Sequence, residues 1–487
     1  MNLYNAANPS LLTDFYELTM MQGYHVYNKN PKVVFDMFFR QNPFQGGFCI
    51  FAGLEPLIKA VLDFRFDAGD IEYLASLGIF RQEFLKFLSG FRFSGDVYSV
   101  DEGEVVFAKE PLIRVHASII EAQVLESLLL NIVNFQTLIA TKSARMCEAA
   151  KGRTIIEFGL RRAQGVDGAL SASRAAYIGG AGATSNLLAG KLFNIPVRGT
   201  MAHSWVMAFD EELDSFRKFA GLYPNNTTVL VDTYNTLKSG IPNAVKVFKC
   251  LKKAGIKNFG IRLDSGDLEY LSKQARRMLD AAGLKEAKIV ASNELDEYII
   301  EQLIKENSPI DYFGVGTHLV TGKGDPALSG VYKLVARRNK KEYIPSMKVS
   351  NDPGKMTNPH IKNVLRVYGR DGLMSGDLVF LENERISLEK NARKGGALIF
   401  HHPDYNFESV KISVYGRTRV LLKKVVQNGA LNYEFPPLEE IRNKTRKNLK
   451  ALHPSFKRLL NPHVYKISIT GKLMSLKSRM LKRYVWK

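Results

Sequence analysis

Between Thr154 and His318 short apolar runs recur, each ending in small or polar residues and most followed by a segment of helical length. The runs are TIIEFG (154–159), IPVRG (195–199), TTVLVDT (227–233), FGIRLDSGD (259–267), KIVASNE (288–294) and IDYFGVGTH (310–318). Between them NAVKVFKCLKKAG, DLEYLSKQARRMLDAAG and LDEYIIEQLIKE carry apolar residues at helical spacing. Nearly continuous apolar strands alternating with helices predict a parallel sheet covered on its faces. Residues able to do chemistry follow strand after strand rather than gathering at one crevice, which favours a barrel over an open sheet. With about six strands, an irregular TIM-like β/α barrel fits as well as a full eightfold one.

The flanking regions read differently. Ser10 is positioned to cap a helix through LLTDFYELTMMQGYH, with Asp14 and Glu17 in its early turns. VVFDMFFR alternates as a strand, and residues 95–117 read as hairpin-like strands turning at Asp101, Glu102 and Gly103. A long apolar helix is expected from Ile120 to Cys147. After about Tyr343 the alternation fades, with LVF and ALIFHH as candidate strands. The expected organisation is an N-terminal α+β domain over 1–150, a β/α barrel over 151–342, and a small C-terminal region over 343–487 that returns to the N-terminal domain. No repeat of solenoid length is visible.

Composition narrows this picture. Hydrophobic residues at 45% and charged residues at 24% suit a folded chain and exclude wholesale disorder. Three cysteines, Cys49, Cys147 and Cys250, are too scattered for a disulfide framework or a CxxC metal site. The N-terminus lacks the basic flank and unbroken apolar core of a signal peptide. The most apolar later window, Val124 to Phe135, carries Glu126 and is too short to cross a bilayer. A cytoplasmic location and no membrane partner are therefore expected.

The net charge of +20 changes the picture less than its size suggests. Between Ile441 and Lys487 there are 14 Lys or Arg and no acid, leaving +6 on the first 440 residues. Leu, Met, Phe and Tyr interleave these charges, so the segment reads as amphipathic folded chain with a solvated basic face. Attraction of anionic substrates, or incidental RNA binding, is the competing interpretation.

The strand ends supply the candidate chemistry: Glu157, Phe158 and Arg161; Thr200 and His203; Asp232 and Thr233; Arg262, Asp264, Ser265 and Asp267; Ser292 and Asn293; Gly314, Gly316 and Thr317. Guanidinium groups bind phosphate or carboxylate in a planar, bidentate manner. The glycines of GVGTH let backbone N–H groups approach phosphate oxygens, and Asp264 with Asp267 could hold Mg²⁺. Each motif alone has a structural explanation: RLDSGD is equally a strand, turn and helix cap, and GLRRAQG a surface basic cluster. GTHLVTGKG has five residues where a Walker A loop needs four and lacks its Ser or Thr. VLVDTYNT lacks the paired acids and the Gly-Gly-Thr turn of type I phosphoribosyltransferases.

Taken in order, LLTDFYELTM, FFRQNPFQGGFCIFAGLE, EFGLRRAQGVDGALSASRAAYIGGAGATSNLLAG, GTMAHSW, IRLDSGDL, FGVGTHLVT and MKVSNDPGK resemble the nicotinate phosphoribosyltransferase family, as does NPHVY in the basic tail. The resemblance implies ATP-coupled synthesis of nicotinate mononucleotide and pyrophosphate from nicotinate and 5-phosphoribosyl 1-diphosphate, with Mg²⁺, in the Preiss-Handler route to NAD. It implies that ATP phosphorylates His203, that Asp264 stabilises charge on the ribose, and that Tyr16, Phe158, Thr200 and Arg262 contact nicotinate. Arg161, Ser292, Asn293, Gly316 and Thr317 would hold the ribose phosphate or diphosphate; Asp232 is a weaker candidate for the site of Asp264. A homodimer is implied, with Tyr16 reaching the neighbouring subunit's site. The related nicotinamide enzyme has an aspartate in the segment matching Thr184 to Gly190, where Ser185 and Asn186 here are uncharged; this favours nicotinate over nicotinamide. Use of nicotinamide or quinolinate, or a basic RNA-binding protein with a vestigial catalytic body, are the alternatives.

Overall fold

The computed structural model describes residues 9–350, 355–402, 409–414 and 417–485; residues 351–354 of the MKVSNDPGK block lie outside them. The chain divides into two compact units, Met1–Thr141 with Ala327–Lys487, and Lys142–Pro326. These limits differ from boundaries at 150 and 342. The helix Glu126–Ala149 runs across the limit between Thr141 and Lys142, and the strands Gly330–Asn339 and Glu342–Pro345 join the first unit's sheet.

In the first unit, the strand Lys32–Phe39 sits in a seven-stranded antiparallel sheet. Ile113–Ser118 pairs with it on one side and Gly330–Asn339 on the other, while Lys423–Gln427 adds to Asp96–Ser99. Distant segments thus complete the N-terminal sheet, burying Phe35, Val115 and Val425 in one core. LVF lies inside the strand Met374–Leu381 and ALIFHH largely inside Ala397–His401, both in a second, six-stranded sheet. Within NPHVY, the Tyr465 ring stacks on Phe107 at 3.8 Å and its hydroxyl donates to Asp377 at 3.1 Å. The basic tail folds as two helices, Leu438–Lys450 and Gly471–Val485, with Ile441, Leu449 and Leu473 buried.

Two local expectations fail here. The first helix begins at Phe15, not Leu11; Ser10 donates instead to Asp70 at 2.7 Å, and Asp14 is the residue preceding the helix. The Ile120–Cys147 helix is two pieces, Ile119–Gln123 and Glu126–Ala149. Together they are long and apolar enough to cross a membrane by length and composition, against the shorter window read from sequence, but 67% of the most apolar window is buried inside the fold. Burial of most of that window makes this a core helix.

The second unit is an irregular β/α barrel. Numbering its strands alone, β1 is Thr154–Glu157, β2 Ala183–Thr184, β3 Thr227–Leu230, β4 Phe259–Leu263, β5 Lys288–Ala291 and β6 Tyr312–Val315. All pair in parallel, in the order β2-β1-β6-β5-β4-β3. IPVRG is not a strand: it contributes a single bridge from Val197 to Thr184, and the strand beside it is β2. Pro196 removes a ladder donor from that stretch, which limits its pairing. Helices cover the sheet; Ala244, Val247, Phe248 and Leu251 form the buried stripe of Ile241–Lys253, as their helical spacing predicts.

Candidate active site

The C-terminal ends of the barrel strands line a cavity of about 560 Å³. Parallel strands run in one direction, so every residue that follows a strand emerges on this same face. Phe158 and Arg161 follow β1, Ser185 follows β2, and Gly199 to His203 come from the segment after Val197. Arg262 and Asp264 come from β4 and its end, Ser292, Asn293 and Glu294 follow β5, and Gly314, Gly316 and Thr317 come from β6 and the turn after it.

Arg262 organises the floor. Its Nε donates to Ser292 Oγ at 2.7 Å, one Nη to Thr200 Oγ1 at 3.2 Å and the other to Asp264 Oδ1 at 2.7 Å. The guanidinium also lies 5.5 Å from the centre of the Phe158 ring. Ser292 Oγ donates to the same Asp264 oxygen. Burial by itself would raise the Asp264 carboxyl, but the Ser292 hydroxyl, Arg262 and His203 together hold it below the ordinary carboxylate value. Asp264 is therefore an anion at neutral pH, with its other oxygen 3.8 Å from His203 Nε2.

His203 opens a short helix, His203–Met207, and its Nδ1 is 3.1 Å from Thr233 Oγ1. That bond spans from the segment after Val197 to the end of β3, the two flanks of the parallel ladder. Asp232 Oδ2 accepts from the Asp264 amide at 2.8 Å and from Ser265 Oγ at 2.6 Å, while its Oδ1 is buried without a hydrogen-bond partner.

Two close approaches shape the rest of the wall. A Cβ at Gly314 would lie 2.6 Å from the Phe158 ring, so the missing side chain is what lets the ring lie over β6. Asn293 has φ of 113°, an unfavourable backbone for a side-chain-bearing residue, at the turn that follows Ser292. Thr317 Oγ1 donates to Glu294 at 3.0 Å, tying the turns after β5 and β6 together.

Eleven of the sequence-derived candidates, Phe158, Arg161, Thr200, His203, Arg262, Asp264, Ser292, Asn293, Gly314, Gly316 and Thr317, line this one cavity. Tyr16 belongs to the first unit, on the helix Phe15–Val26, with 47% of its surface exposed. Asp267 does not line the cavity; its Oδ1 accepts from the Tyr270 amide at 3.0 Å and caps the helix Leu268–Ala281. Among the described residues, no group of three or more His, Cys, Asp or Glu gathers as a metal cluster. Glu294 lines the cavity but was not singled out from the sequence, although its place at the end of an apolar run was the available signal. Asn186 is buried and caps Leu187–Phe193 through the Ala189 amide at 3.2 Å, so of the two uncharged residues it is Ser185 that lines the cavity.

A β/α barrel whose strand ends bring arginines, a carboxylate, a histidine and glycine turns to one cavity has the constitution of an enzyme for small anionic, phosphorylated substrates. Three family descriptions match in order: the nicotinate phosphoribosyltransferase N-terminal domain over residues 11–134, the nicotinate phosphoribosyltransferase family over 154–348, and its C-terminal domain over 361–477. The chain is 41% identical to the nicotinate phosphoribosyltransferase of Bacillus subtilis, covering 97% of this chain and 95% of the relative. It is 38% identical to nicotinate phosphoribosyltransferase 2 of Arabidopsis thaliana, over 95% of this chain and 92% of that one. The crystal structure of human nicotinic acid phosphoribosyltransferase superposes with a TM-score of 0.84 at 29% identity, covering 96% of this chain and 99% of that chain. The chain belongs to the nicotinate phosphoribosyltransferase family.

Proposed function

We propose that this chain joins nicotinate to C1 of 5-phosphoribosyl 1-diphosphate, releasing pyrophosphate, and couples the transfer to ATP through phosphorylation of His203. The observation that carries this reading is Arg262 at the cavity floor beside the Phe158 ring. A guanidinium has five N–H donors; three are engaged by Ser292, Thr200 and Asp264, leaving two for the carboxylate of a pyridine acid. Phe158 offers its face to the pyridine ring.

In the transfer, the pyridine nitrogen forms a bond to C1 while the bond from C1 to the diphosphate oxygen breaks. The positive charge developing on the ribose meets the Asp264 carboxylate, which is already ionised and oriented by Arg262 and Ser292. Arg161, Ser292, Asn293, Gly316 and Thr317 border the space for the phosphate groups. In the coupled step an imidazole nitrogen of His203 attacks the terminal phosphorus of ATP and ADP leaves; later attack by water returns the histidine and releases phosphate.

Mg²⁺ fits the carboxylates present. Asp232 has a buried oxygen without a partner and Asp264 lines the cavity, both hard donors suited to this ion. Asp267 is the weaker ligand of the three because its carboxylate caps a helix. When bound, the ion would neutralise diphosphate charge.

A homodimer sharing its active sites is part of this reading, supported by exposed Phe15 and Tyr16 on one unit and exposed Leu187 and Met207 on the other. Three free thiols suit the reducing cytoplasm. The folded, partly buried basic tail argues for a solvated face rather than a specific nucleic-acid partner.

Purified protein given nicotinate, 5-phosphoribosyl 1-diphosphate, Mg²⁺ and ATP should form nicotinate mononucleotide, resolved by chromatography. Nicotinamide and quinolinate should compete poorly. No product above the blank sinks the proposal.

A further inference from the structure

Glu157 is the last residue of β1 and is 1% exposed, yet it does not line the cavity. A buried carboxylate is costly unless hydrogen-bond donors surround it. Here they come from three separate pieces of chain. The Gly159 amide donates to Oε1; Ser173 Oγ and Thr184 Oγ1 donate to Oε2, at 2.8 and 2.5 Å. Ser173 belongs to the helix Gly165–Gly179, and Thr184 is the direct neighbour of Glu157 across the β1–β2 pairing.

The Gly159 and Thr184 bonds each fix a cavity residue that is not itself the bonded one, and the Ser173 bond anchors the carboxylate to the helix Gly165–Gly179. On one side, holding the Gly159 amide sets the turn that carries Phe158, whose own amide donates to Val315 O at 2.7 Å. Gly159 has no slack: a Cβ there would meet Val320 at 2.1 Å. On the other side, Thr184 Oγ1 gives its hydrogen to Glu157 and accepts the Asn186 amide at 3.0 Å. Ser185, between them, donates its amide to the Glu157 carbonyl at 2.9 Å. Phe158 and Ser185 both line the cavity. One carboxylate therefore ties together the two segments that carry Phe158 and Ser185 to the cavity.

We propose that Glu157 is a positioning residue that sets the spacing of the pyridine subsite, acting through Phe158 and Ser185 without touching substrate. This rests on the nicotinate reading of the cavity. A glutamine has the same shape but replaces one acceptor oxygen with an N–H donor, so either the Gly159 amide or the Ser173 and Thr184 hydroxyls lose their acceptor and the segment they belong to shifts.

The test is steady-state kinetics of Glu157→Gln with each substrate varied. The KM for nicotinate should rise about tenfold, while kcat and the KM for 5-phosphoribosyl 1-diphosphate stay within about twofold. Thr184→Val should reproduce the defect and Thr184→Ser should restore it; this pair decides the matter if Glu157→Gln does not fold. A change in both KM values together, or in neither, overturns the inference, as does equal behaviour of the valine and serine variants. If the wild-type protein makes no nicotinate mononucleotide, the functional reading itself has failed, which is a separate result.

Discussion

His203 Nδ1 stands 3.1 Å from Thr233 Oγ1, while Nε2 faces Asp264 at 3.8 Å. The hydroxyl can donate to Nδ1 or accept from it, so it fixes the ring's orientation in either tautomer. Replacing His203 by Ala should abolish incorporation of phosphate from ATP, read by intact-mass measurement and peptide mapping, while slow uncoupled transfer persists. Thr233→Val should keep the site but slow phosphorylation about tenfold, the scale of one lost hydrogen bond. Normal ATP hydrolysis by His203→Ala would remove the histidine from the mechanism.

Arg262→Lys keeps the charge but not the fork that reaches Ser292, Thr200 and Asp264 together. Its kcat/KM for nicotinate should fall by about a hundredfold, equivalent to ~2.7 kcal/mol, with discrimination against nicotinamide reduced. Parallel assays with the two pyridines measure both effects, and unchanged discrimination would show that the guanidinium does not read the carboxylate.

Gly314→Ala places a methyl group 2.6 Å from the Phe158 ring position. The ring must move, because the backbone of a central strand is held on both sides. The KM for nicotinate should rise several-fold with a loss of stability of about 1–3 kcal/mol, measured by denaturant unfolding. Equal nicotinate affinity in the variant would place the pyridine elsewhere in the cavity.

Stability in the first unit should depend on pH through Glu17, which is fully buried with Gln123 donating to it at 2.9 Å. Burial pushes its carboxyl up to about 7, from an ordinary 4.5. Between those values the native state holds a proton that the unfolded chain has released, so stability falls as pH rises through this window and stays lower above it. The difference is on the order of 3 kcal/mol. Glu17→Gln should flatten this slope in unfolding curves taken at pH 5 and pH 8; an unaltered slope would assign it to other groups.

The barrel strands with continuous apolar runs, such as FGIRL and KIVA, were legible because burial on both faces leaves a local compositional mark. β2 was not, since two residues, Ala183–Thr184, are too few to show a period, and IPVRG imitates a strand until Pro196 is weighed. The start of the first helix was misread because Ser10 is a good cap by type, whereas a 2.7 Å bond to Asp70, sixty residues away, holds it elsewhere.

The site divides in the same way. Sequence alone brought most of the cavity's lining residues into view, because they lie at or just past the ends of apolar runs and parallel strands deliver such positions to one face; Asp264, Ser292 and Gly316 are legible on that ground. Tertiary structure decided their relations: that Arg262 holds Asp264, that Asp267 caps a helix instead, and that Glu157 ties together the segments carrying Phe158 and Ser185. The reason is physical. Burial and chain direction are properties of a segment and are written in its pattern, whereas a hydrogen bond between Glu157 and Ser173 or Thr184 exists only once different segments have been packed to within about 3 Å of each other.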